Sequence, residues 1–155
     1  MNTMLPNVFF FLQTKETVKF LNANDNIYAG LQKMRMYHYS AMPVINDQGH
    51  YLGSVREGDF LWYLVDHPDK REAELRKLPL RTLVHKNFIK ACRTDVDIDQ
   101  LFQMSLDQNF VPIVDDRNIF IGIVTRRSII AYLLNQARKI EPYVSERLAQ
   151  EEMQS

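Results

Sequence analysis

One proline-marked segment of this chain occurs twice. Met42-Pro43-Val44-Ile45-Asn46-Asp47, running on to Tyr51-Leu52-Gly53-Ser54-Val55, returns as Val111-Pro112-Ile113-Val114-Asp115-Asp116, running on to Phe120-Ile121-Gly122-Ile123-Val124, with no gap inside the block. Apolar, proline, turn-acid and glycine positions all stay in register, which a chance recurrence of strand-like composition would not achieve. The chain is therefore one unit written twice, and at 155 residues the two copies must share the space of a single compact domain.

Each copy reads in the same order. Val18–Leu21 is β-prone and predicts a short strand ending at the polar cluster 22–26, where Asn24 or Asp25 can cap a helix whose apolar face is Ile27, Leu31, Met34 and Met36. Pro43 opens a strand, where its missing N–H is tolerated; 46–49 is a turn, and Tyr51–Val55 is the returning arm of a hairpin. Phe60–Val65 begins a closing helix. The second copy repeats this with a strand near Phe88–Ala91, a cap at Thr94 or Asp95, and a helix through Ile98, Leu101, Phe102 and Met104. A hairpin turning at 115–118 and a helix from Ser128 onward complete it. The expected boundaries are 8–66 for the first unit, 67–79 for a charged, proline-containing link, 80–138 for the second unit and 139–155 for a charged C-terminal tail.

Nineteen basic residues balance nineteen acidic ones, so no global field attracts nucleic acid or an anionic membrane, and any anion site must be local. The apolar run Val8–Leu12 is far shorter than the ~20 residues that span a bilayer and suits an entry helix with Pro6 in its first turn. No basic n-region follows Met1, and the lone Cys92 reads as an inert buried thiol, consistent with a reducing cytoplasm. The histidines at 38, 50, 67 and 85 lack metal-ligand spacing, and neither a Gly-x-Ser-x-Gly elbow nor a Walker loop is present. Asp115-Asp116 and Glu151-Glu152 fall in a turn and a charged segment, where solvation accounts for them. A binding protein without catalytic centre, metal or cofactor is expected.

The closing helices Phe60–Val65 and Ile129–Leu134 are apolar almost all round, whereas a helix lying on one small sheet would show a single stripe. Either they cover each other within one molecule or they meet a second copy; a homodimer is expected.

A sheet–helix unit whose proline-initiated hairpin ends in Gly-φ-φ-Thr-x-x-Asp (φ apolar), present in two copies, resembles the tandem cystathionine-β-synthase (CBS) domain, or Bateman module, over roughly residues 8 to 138. The resemblance implies a mixed α/β (α+β) fold. Two units, each a small sheet with flanking helices, would pack with pseudo-twofold symmetry around two clefts in which adenine nucleotides bind. It further implies a sensor that acts on a separate regulated partner. The motif reads Gly53-Ser54-Val55-Arg56-Glu57-Gly58-Asp59 in the first copy, with Arg56 in place of the hydroxyl residue. In the second it reads Gly122-Ile123-Val124-Thr125-Arg126-Arg127-Ser128, with Ser128 in place of the acid.

Glu57 suits the positive end of a helix dipole, but Arg126 and Arg127 cost stability there unless an anion sits among them. Thr125-Arg126-Arg127 is also similar to the motif of small stand-alone two-CBS receptors for cyclic di-AMP, in which the arginine pair contacts phosphate. That likeness implies a ligand site made of Thr125, Arg126, Arg127 and Ser128 from the second copy, with Thr17, Val18, Lys19, Tyr39, Ser40 and Ala41 from the first. The backbone near Lys19 would read the base, and Tyr39 either stacks on it or serves the core or an interface. Ile89, Lys90, Arg56 and Asp59 would line a possible second cleft. The ligand expected is cyclic di-AMP, with AMP, ADP or ATP as the alternative; a constitutive dimeric interaction module with degenerate clefts is the other reading.

Overall fold

The computed structural model describes residues 5–154. Two small sheets, each made by one copy, stand side by side. In the first, β2 (Leu21–Asn22) runs parallel to β3 (Ala41–Ile45), which pairs antiparallel with β4 (Tyr51–Arg56). In the second, β5 (Cys92–Arg93) runs parallel to β6 (Phe110–Val114), which pairs antiparallel with β7 (Phe120–Thr125). The register repeats in detail: Val44 faces Gly53 as Ile113 faces Gly122, and a bulge follows each. Helices α2 (Ile27–Tyr37) and α3 (Glu57–Asp66) cover the first sheet; α5 (Ile98–Asp107) and α6 (Arg126–Gln154) cover the second. A short helix, α4 (Glu72–Leu75), lies in the link, and a 3-10 turn at Leu80–Leu83, where the second unit was expected to begin, follows it; both send leucines into the first core.

The entry segment crosses over. Helix α1 (Val8–Phe11) buries Val8 and Phe11 in the second unit's core, and strand β1 (Gln13–Thr14) adds antiparallel to β7. Residues 8–14, expected in the first unit, thus pack on the second. The segment that opens the second unit answers symmetrically, His85 exchanging backbone hydrogen bonds with Ser54 on β4 at 3.1 and 3.4 Å. This crossing explains the repeated glycine. A Cβ on Gly53 would lie 2.7 Å from the His85 carbonyl oxygen, and one on Gly122 would strike that of Gln13, so only glycine lets the visiting backbone approach.

The two hairpins meet tip to tip. Phe120 donates its amide to the Gly49 carbonyl at 2.9 Å and Tyr51 donates to that of Asn118 at 3.2 Å. Tyr51 and Phe120 are the same position in the two repeats; they stack at 6.4 Å between ring centres on the pseudo-twofold axis, within a shared cluster of Val18, Ile45 and Val114. Burial of each such side chain stabilises by about 1.5–3 kcal/mol.

Several boundaries differ from those predicted. The strands expected at Val18–Leu21 and Phe88–Ala91 begin later, at Leu21 and Cys92, because the preceding residues run extended toward the other unit: Val18 and Ile89 are buried, and Ile89's carbonyl accepts the Tyr51 hydroxyl at 2.6 Å. The first helix is capped by Asn26, whose Oδ1 accepts from the Ala29 amide at 2.8 Å, since Asn24 is drawn to Asp47 and Asp25 to Lys33. Asp97, not Thr94 or Asp95, caps α5. Pro6 precedes the Asn7 cap of α1 rather than entering its first turn. Helix α6 starts at Arg126, two residues before Ser128. It continues through 139–154, the segment expected as a charged tail, whose Glu, Arg, Gln, Ala and Leu content favours helix despite Pro142. Ser155 lies outside the described residues.

Candidate functional site

A cleft of about 310 Å³, in the range that small ligands occupy, opens between the units. Its first wall is the segment Thr17-Val18-Lys19 with Tyr39, Ser40, Ala41 and Pro43. The second wall is Asn109, Phe110, Ile123 and Thr125, with Gln13 between. Of the residues that the resemblance implied, the structure brings Thr17, Val18, Lys19, Tyr39, Ser40, Ala41 and Thr125 to one cleft, whereas Arg126, Arg127 and Ser128 do not line it. Gln13, Pro43, Asn109, Phe110 and Ile123 were missed. Asn109 and Phe110 were available in principle, since they repeat Ser40 and Ala41; Gln13 was not, because only the crossing of β1 brings it here.

Local chemistry shapes each wall. The Lys15–Thr17 turn, closed by the Thr17 hydroxyl donating to the Thr14 carbonyl at 2.9 Å, delivers Val18 and Lys19 in extended form. Lys19 swings its ammonium over the Tyr37 ring, 5.2 Å from its centre, which leaves its peptide on the cleft side. Tyr39 is half exposed, 6.2 Å from Tyr37. Opposite, Thr125 caps α6: its Oγ1 accepts from the Ser128 amide at 3.1 Å, while the Ser128 hydroxyl donates to the Thr125 carbonyl at 2.7 Å. The Arg126 amide is taken by the Asn109 carbonyl at 2.9 Å, as that of Glu57 is by Ser40 at 3.0 Å.

The arginine pair separates. Arg126 turns away from the cleft and donates from Nε to the Ser105 carbonyl at 2.6 Å and from a terminal nitrogen to that of Leu106 at 3.2 Å. These carbonyls end α5, so the negative end of one dipole offsets the cost of a cation at the positive end of another. Arg127 is exposed, with no carboxylate partner among the described residues, and its amide is free of the bonds that hold its neighbours. It lies two residues along the chain from Thr125 and does not itself line the cleft.

The possible second cleft is differently furnished. Asp59 accepts from the Arg56 amide at 2.7 Å and lies 3.1 Å from His85 Nε2, so it caps α3 and ties the segment that opens the second unit. The Arg56 guanidinium lies flat on Phe88, 3.5 Å from its ring centre. Lys90's backbone is bonded to Gln108, and Ile89 is buried. Elsewhere, burial pushes the Cys92 thiol up to about 11. Among the described residues no three His, Cys, Asp or Glu side chains group to hold a metal ion, and no helix is long and apolar enough to cross a membrane.

Two crossed-over sheet–helix units enclosing such a cleft define a tandem regulatory module. The CBS-domain family model matches residues 13–66 and 80–135, and the chain belongs to that family. No curated protein matches it. Among solved structures, it resembles CbpB in complex with c-di-AMP, at 19% identity and a TM-score of 0.81 over 90% of this chain and 92% of that one. It also resembles Listeria monocytogenes CbpB in complex with c-di-AMP, at 18% identity and a TM-score of 0.75 over 84% and 97%. CBSX2 in complex with AMP aligns at 18% identity and a TM-score of 0.68 over 84% and 98%. At these identities the likeness establishes the shared fold.

Proposed function

We propose that the cleft between Lys19 and Thr125 binds an adenine nucleotide, cyclic di-AMP foremost, and that its filling changes how the protein, as a homodimer, engages a regulated partner. The observation that carries this reading is one cleft with Lys19 on its first wall and Thr125 on its second, where Thr125 caps α6 and the exposed Arg127 follows two residues on. A base takes the first wall and phosphate the second, beside the positive end of α6. The role is binding and regulation, without catalysis. AMP, favoured by the CBSX2 likeness, is the competing ligand.

Titration calorimetry with cyclic di-AMP, AMP, ADP and ATP at one salt concentration tests this. Cyclic di-AMP is expected to bind tightest. Tighter AMP or ATP binding would reassign the ligand, and binding of none would leave a constitutive interaction module.

A further inference from the structure

Strand register makes Lys90 the counterpart of Lys19, because Leu21 pairs with Val44 as Cys92 pairs with Ile113. Counting back from the two hairpin prolines makes Gln108 the counterpart of Tyr39. In the first cleft the Lys19 peptide is open and Tyr39 stands half exposed beside it. In the second, Gln108 is only 7% exposed and closes on that same peptide edge. Its Oε1 accepts from the Lys90 amide at 2.9 Å and its Nε2 donates to the Lys90 carbonyl at 3.0 Å, with a further donation to the Phe110 carbonyl at 3.2 Å.

A carboxamide presents an acceptor and a donor on one carbon. So does the edge of a nucleobase, as in N1 and the amino group on C6 of adenine. The rest of the second cleft is engaged as well: Phe88 is covered by the Arg56 guanidinium, whose Nε is buried without a hydrogen-bond partner, and Asp59 is held by the Arg56 amide and His85. A tethered group competes at an effective concentration on the order of millimolar, so a free ligand at micromolar concentration loses to it.

We infer that Gln108 is a built-in stand-in for a nucleobase that closes the second cleft, so that each chain takes one nucleotide, in its first cleft, and that removing the amide opens a second nucleotide site. The stoichiometry rests on the nucleotide reading of the first cleft; the closure does not.

Amide hydrogen exchange followed by NMR on the ligand-free chain tests closure directly. The Lys90 amide is expected to exchange at least about tenfold more slowly than that of Lys19; equal rates would overturn the inference even if every substituted protein failed to fold. Calorimetry with AMP then reads the stoichiometry. Wild type is expected to give one site per chain and Gln108→Ala two. Two sites in wild type, or a folded Gln108→Ala that still shows one, would overturn it. A wild type that binds neither AMP nor cyclic di-AMP, with Lys90 protected and a site gained in Gln108→Ala, would overturn the first-cleft reading and support this one.

Discussion

Arg126 and Arg127 are adjacent, identical in type and unlike in what they touch, so replacing them should have opposite signatures. Arg126→Ala removes the bonds to the Ser105 and Leu106 carbonyls. Hydrogen bonds to a charged group contribute about 1.5–3 kcal/mol, discounted here by partial exposure to about 1–2 kcal/mol in all. At roughly 2–4 °C per kcal/mol for a chain of this size, the midpoint of thermal unfolding should fall by several degrees. Arg127→Ala should leave unfolding unchanged or slightly later, because a cation leaves the positive end of α6. Its cyclic di-AMP affinity should nonetheless drop about 10- to 100-fold by calorimetry, and lysine should only partly restore it. Cys92 offers a separate check. With its thiol near 11, about one molecule in a thousand carries the thiolate at pH 8, so native protein should react with iodoacetamide far more slowly than protein unfolded in guanidinium.

Helices and hairpins were the elements most legible in the sequence, because a helix face and a proline-to-glycine hairpin each write a local pattern. The two parallel strands were less so. Leu21–Asn22 and Cys92–Arg93 are two-residue pairings, and the apolar residues before them are buried by the opposite unit rather than by sheet partners. Of the cleft, the first copy's wall and Thr125 came from the family resemblance that the repeated motif carries. The fate of Arg126 could not, since it depends on where α5 ends in space. Caps can be tested one at a time: Asn26→Ala should cost about 1 kcal/mol and lower the thermal midpoint by a few degrees, whereas Asn24→Ala leaves the cap intact. For α6, every residue from 139 to 153 is exposed, so ending the chain at 138 should reduce helical circular dichroism with little change in the monomer's thermal midpoint.

At the scale of the molecule, the pseudo-twofold arrangement leaves its apolar helices outward. Leu61, Trp62 and Val65 on α3 and Ile130, Leu133 and Leu134 on α6 are all about half exposed, so the closing helices do not cover each other within the chain. Light scattering at micromolar concentration should return about twice the chain mass, and Trp62→Glu should shift it toward the monomer. The crossing of the entry segment has a further consequence for synthesis. Val8, Phe11 and the β1 edge leave the ribosome before their partners, since the β7 strand and the core that receive them come from residues made roughly 80 to 120 positions later. Nascent first-unit chains must therefore hold an unpaired apolar leader while elongation proceeds, at roughly 5–20 residues per second. For several seconds of each round of translation, that segment is an apolar surface that a chaperone can hold.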